Sequence, residues 1–111
     1  MASIASIQLK FDIDKYNIFD DLVTANYSEY IIQQLEVATG TTDGAVSFGG
    51  VTTADLIWIT SDQDISYKLS GGSSLPVDAN KFSLLYGIAA TSITVTNASG
   101  ATAIVRIGVA G

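Results

Sequence analysis

Asp62 and Asp64, two carboxylates separated only by Gln63, are the residues of this sequence best placed to do chemistry. Calcium takes carboxylate and carbonyl oxygens, so a turn carrying both acids offers part of a calcium site. The remaining ligands of a calcium loop are not identifiable here, and aspartate in a turn commonly caps its own backbone instead. Asp12 and Asp14 repeat the spacing, and for them the plainer reading is the solvated side of a strand. Glycosidases also work with two carboxylates across a cleft. With 11 acidic residues among 111, however, some pair will always look suitable. The sequence holds no cysteine and no histidine. Disulfides, thiolate centres, the usual zinc and copper ligand sets and any Ser-His or Cys-His nucleophile are thereby excluded. The glycines of 40–44 and Gly49-Gly50 lead into neither a Lys-Ser/Thr pair nor a helix, so they do not form a phosphate loop. No catalytic residue, metal ligand or cofactor site is assigned, and the expectation is a protein that is not an enzyme.

Binding chemistry has one candidate group. Trp58, Tyr67 and Tyr86 suit a sugar-stacking platform, although Trp58 lies between Ile57 and Ile59, where core packing is the plainer reading. Asn26-Tyr27-Ser28 and Asn97-Ala98-Ser99 match the glycosylation triplet, but no secretory signal is recognisable at the N-terminus, so both read as chance matches. A net charge of −6 opposes non-specific attraction to phosphate backbones, and no apolar run is long enough for a helix to cross a bilayer. Neither nucleic acid nor membrane is an expected partner. Charged residues make up 14% of the chain against about 25% in an average soluble domain. Such a surface is finished with Ser, Thr, Gly, Asn and Gln, as in an extracellular protein or one that buries much of its outside against neighbours.

The elements that would carry these residues are strands. Residues 56–60 are apolar at consecutive positions, so both faces need cover, whereas Ile65, Tyr67 and Leu69 alternate with Ser66, Lys68 and Ser70. Residues 54–70 therefore read as a central β-hairpin with Asp62 and Asp64 at its tip. Ile7, Leu9, Phe11 and Ile13 alternate with Gln8, Lys10, Asp12 and Asp14, a half-buried strand fit for a sheet edge. Residues 16–23 lose the alternation and read as a loop, or as one helical turn capped by Asn17 or Asp20. Residues 30–37 form a long strand whose inward face changes partway, as at a bulge. Further strands are expected at 45–48, 82–86 (ending at Gly87), 92–96 and 101–109, with a loop from 71 to 80 containing the only proline, Pro76. In the last strand Ala103, Val105, Ile107 and Val109 share one face, with Ile104 and Arg106 on the other. The fold class is thus all-β: a β-sandwich or jelly-roll-like barrel of seven or eight antiparallel strands. All 111 residues make one domain, with 1–14 available as a strand-exchanging N-terminal arm.

From residue 50 onward the pattern resembles small virion structural proteins of tailed bacteriophages. The likeness runs through 50–59, through 65–72 with its Gly71-Gly72 close, through Leu84-Leu85-Tyr86-Gly87, through 91–97 and through the Gly-ended 101–111. It carries no functional residue and leaves 1–49 unplaced. It implies a non-enzymatic building block assembled in the host cytoplasm and resident in the virion. A head decoration (cement) protein bridging major-capsid subunits is the first expectation, with a tail, neck or fibre component or a carbohydrate- or receptor-binding module as the alternative. The uncovered faces of 56–59 and of Ile104 add self-association to the expectation, as a cyclic homo-oligomer and most naturally a homotrimer.

Overall fold

The computed structural model describes residues 3–111, with the side chains of 3–7, 9–13 and 18–26 outside the described set. Ten strands follow one another: β1 (Ser3–Ile13), β2 (Tyr16–Tyr27), β3 (Tyr30–Val37), β4 (Gly44–Val46), β5 (Ala54–Ser61), β6 (Ile65–Leu69), β7 (Leu75–Val77), β8 (Phe82–Ala90), β9 (Ile93–Thr96) and β10 (Ala103–Ala110). β1 and β2 form a two-stranded ribbon that joins neither of two four-stranded sheets, ordered β3-β10-β5-β8 and β4-β9-β6-β7. All pairings are antiparallel. The class is all-β, and the two sheets pack as a sandwich.

The core lies between the sheets, where β-branched residues suited to a pleated surface meet. Ile57, Ile59, Val105, Ile107 and Val109 from the first sheet face Ile65, Tyr67, Val77, Ile93 and Val95 from the second. The alternation expected in the last strand holds: Ala103, Val105, Ile107 and Val109 are buried, while Ile104 and Arg106 are exposed. A polar tie crosses the core, from the Tyr67 hydroxyl to Ser83 Oγ at 2.6 Å.

Six expectations are corrected. Residues 54–70 are not a hairpin, because β5 pairs with β10 and β8 while β6 pairs with β9 and β7. The turn at 62–64 instead carries the chain from one sheet to the other. Residues 16–23 are not a loop but the first part of β2. Phe11 pairs with Phe19 and Asp12 with Asn17, so Ile18 is an extra residue that breaks the alternation. β3 runs straight: Gln33, the polar residue on its inner face, donates to the Ser47 carbonyl at 2.8 Å, so no bend is needed to expose it. Pro76 lies in β7, an edge strand, where its missing N–H leaves no central ladder bond unmade. With β2 and β7 added, the strands number ten rather than seven or eight. Gly87, expected to end its strand, instead has φ 74 within β8, beside a register shift between Ala54 and Leu56.

Candidate functional site

The two aspartates of the inter-sheet turn are structural ties. Asp62 Oδ1 accepts the Ile104 N–H at 2.8 Å, holding the turn to the start of β10. Asp64 Oδ1 accepts the Ala79 N–H at 2.8 Å, holding the other end to the loop before β8. Each carboxylate is thus engaged by a different segment, and among the described residues no group of three acids is placed to hold a metal. Asp14 sits in the ribbon's turn at φ 55, and the side chain of Asp12 lies outside the described residues.

The glycosylation triplet at Asn97 is a buried clasp. Asn97 has no exposed surface, and its amide uses its full hydrogen-bonding capacity. Nδ2 donates to the carbonyls of Val37 and Ala101, both at 2.8 Å, while Oδ1 accepts from the Ser99 N–H at 3.1 Å and its hydroxyl at 2.7 Å. The side chain thereby joins the end of β3 to the β9–β10 turn. The side chain of Asn26, in the other triplet, lies outside the described residues.

The three candidate aromatics separate. Tyr67 is in the core, whereas Trp58 and Tyr86 point outward from the β3-β10-β5-β8 sheet. The core reading of Trp58 is therefore overturned: its neighbours Ile57 and Ile59 face inward, and strand alternation sends Trp58 to the other side. Register sets the residues of this outer face in rows across the four strands. One row runs Tyr30, Ala110, Leu56, Tyr86; the next Ile32, Gly108, Trp58, Leu84; the next Gln34, Arg106, Thr60, Phe82. Most of these are apolar, and Tyr30, Ile32, Phe82 and Tyr86 are at least half exposed. Among the described residues, the cover expected for both faces of 56–59 is complete on one face only, with Ile57 and Ile59 buried and Trp58 exposed.

A hollow of about 350 Å³ opens beside the third row, lined by Thr60, Ser61, Asp62, Asn80, Ile104 and Arg106. Its walls are fixed by hydrogen bonds from Asn80 N–H to the Ser61 carbonyl at 2.8 Å and from Thr60 Oγ1 to the Lys81 carbonyl at 2.6 Å. Arg106 Nε donates to Gln34 Oε1 at 3.2 Å.

The chain matches no known protein family, curated protein or solved structure. The likeness to phage virion proteins therefore rests on the sequence pattern alone.

At the root of the ribbon, the N–H groups of Ser28 and Glu29 donate to the Gly111 carbonyl, and the Gly111 N–H donates back to Glu29. Tyr27 is buried there, and among the described residues its hydroxyl has no hydrogen-bond partner. Burial, with Tyr86 and the Asp55 carboxylate nearby, pushes its phenol above the ordinary value of 10.0. At the tip, Asp14, Lys15, Tyr16 and Asn17 are exposed, with the Lys15 ammonium 5.8 Å from the Tyr16 ring centre.

Sequence reasoning missed Gly108, Ile32 and Phe82. The signal was present, since each shares strand parity with Trp58 or Arg106 once the strands are placed in register.

Proposed function

We propose that this protein is a non-enzymatic virion structural component, a capsid decoration protein that self-associates and bridges neighbouring shell subunits. The observation that carries the reading is the β1–β2 ribbon, whose strands pair with each other and with neither sheet. A lone two-stranded ribbon is at best marginally stable in water, so another protein surface is needed to complete it. Each of its two strands is paired along one edge only, from Ser3 with Tyr27 to Ile13 with Tyr16. Strand edges left open in this way suit a ribbon added to a neighbouring sheet. The arm anticipated at 1–14 thus becomes a hairpin that includes β2.

The sandwich supports the same reading. Its pairs nest as β3·β10, β4·β9, β5·β8 and β6·β7, a hairpin rolled into two sheets, which is the jelly-roll order found in viral capsid and lectin domains. Fold alone does not fix function, and the ribbon is what favours the capsid. Co-sedimentation of the purified chain with capsids of the virus that encodes it is the test. Saturable binding, weakened by Tyr16→Asp at the ribbon tip, is expected; no binding at any concentration overturns the proposal.

A glycan-binding jelly roll is the second reading, favoured by the hollow where Asp62, Asn80 and Arg106 meet beside the exposed Phe82 ring. A glycan array separates the two, because the structural reading expects no sugar to be retained.

A further inference from the structure

We infer that a second copy of this chain docks face to face on the outer surface of the β3-β10-β5-β8 sheet, each Trp58 seated over the other's Gly108. The inference rests on the self-association proposed above and names its surface and symmetry.

The sandwich has two unlike outsides. On the β4-β9-β6-β7 sheet the outer positions are Ala45, Thr94, Lys68, Ser66, Thr96 and Pro76, and Lys68 pairs with Asp43 at 3.2 Å. That face is finished for water. The opposite face carries Tyr30 at 61% exposure, Ile32 at 77%, Trp58 at 37%, Phe82 at 65% and Tyr86 at 50%. Taking about 150–250 Å² for a whole aromatic residue, the four rings leave roughly 300–500 Å² in water before any isoleucine is counted. An interface of standard size takes about 800 Å² from each partner, a little over half of it apolar, or about 450–500 Å². The face supplies that apolar area without help from the ribbon.

Gly108 points to what covers it. Glycine weakens a strand interior and there often marks the close approach of another backbone or ligand. Neither a left-handed backbone nor crowding explains this one, because a Cβ at Gly108 would meet nothing within 4 Å and its φ is not positive. Its own chain leaves a notch open between Ile32 and Trp58.

The order of each row says that the filling group comes from a second copy. When two such sheets face each other about a two-fold axis lying along the strands between β10 and β5, every row meets its own reverse. Trp58 then falls on Gly108, Leu84 on Ile32, Tyr86 on Tyr30, Phe82 on Gln34 and Thr60 on Arg106, while Ala110, already buried within its own chain, takes no part. Large groups meet small ones in the middle, and the one cation in these rows, Arg106, meets a hydroxyl rather than its own like. Aligned packing of two sheets about 10 Å apart is an ordinary arrangement, which the twist of each sheet turns by about 30°.

Trp58 is the sole tryptophan, so its fluorescence reports on this surface alone. The test combines sedimentation equilibrium with acrylamide quenching on the full chain, on Gly108→Arg and on Thr94→Glu, a control on the opposite face across from Lys68. Circular dichroism checks that each variant is folded, and the space around Gly108 predicts that the arginine is tolerated. Expected are a mass of two chains, or an even multiple, for wild type and Thr94→Glu, with Trp58 shielded at least three-fold from acrylamide. Gly108→Arg should give half that mass and full quenching. A wild-type monomer would overturn both self-association and this surface. An odd-numbered oligomer, an oligomer with Trp58 freely quenched, or a folded Gly108→Arg that keeps its mass would overturn the surface alone.

Discussion

Replacing Asn97 with aspartate keeps the shape of the side chain and reverses its chemistry where the fold can least absorb it. The amide donates to two carbonyls at 2.8 Å from a site with no exposed surface, so the variant points a carboxylate at the oxygens of Val37 and Ala101. The two contacts with Ser99 survive, since they use the atom that remains an acceptor. Two donated bonds at a net of about 1 kcal/mol each account for roughly 2 kcal/mol. A buried charge left without a partner raises the total to about 3–5 kcal/mol. For a domain of this size that lowers the melting temperature by roughly 10–20 °C at about 4 °C per kcal/mol. Urea denaturation at one fixed protein concentration is the assay, with Ser99→Ala, expected to cost about 1 kcal/mol, as the control. The deficit should shrink in acid, because a raised folded-state carboxyl pKa favours the fold as pH drops and a protonated acid regains one donor. An Asn97→Asp protein within 1 kcal/mol of wild type at pH 7 would refute the clasp.

Three further expectations follow from named atoms. Tyr27→Phe removes a buried hydroxyl that has no partner among the described residues and should raise stability by about 1 kcal/mol at pH 7. The raised Tyr27 pKa means that the neutral phenol favours the fold. Its contribution is intact below about pH 10, where the unfolded chain ionises, and is lost as pH climbs through the folded value. The advantage of Tyr27→Phe should therefore widen in melts above pH 10. Tyr67→Phe and Ser83→Ala each break the hydroxyl–hydroxyl bond between the sheets, at about 1 kcal/mol apiece, and a double-mutant cycle should return a coupling near that size; zero coupling would deny the bond. Asp64→Ala loses the tie to Ala79 at a cost of about 1 kcal/mol, and millimolar calcium should leave the melting temperature of wild type unchanged; a calcium-dependent rise would restore the metal reading.

Local alternation was readable in the sequence, and partner choice was not. Ala103, Val105, Ile107 and Val109 declare a buried face in their own order, and that face is where the structure puts it. Residues 54–70 look like a hairpin because two strand patterns flank a short acidic turn, yet nothing in 56–60 or 65–69 says that their partners lie in different sheets. That information is spread over β7, β8, β9 and β10. Ile18 hid β2 because one extra residue reverses the parity of all that follows it. Trp58 was misplaced for a related reason. A continuous apolar run marks two faces in need of cover without saying which of its residues, here Trp58, stays exposed. The triplet at Asn97 reads as a chance match, but the clasp that this residue makes was not legible, because its partner Val37 lies 60 residues away in sequence.

The account stands on the apolar outer sheet being covered by protein in solution, and small-angle scattering of the full chain tests this most directly. A single copy has a radius of gyration of 14.9 Å. The expected result is a value well above that, together with forward scattering equal to at least two chains. A radius near 14.9 Å with the mass of one chain, unchanged as concentration rises, would contradict it.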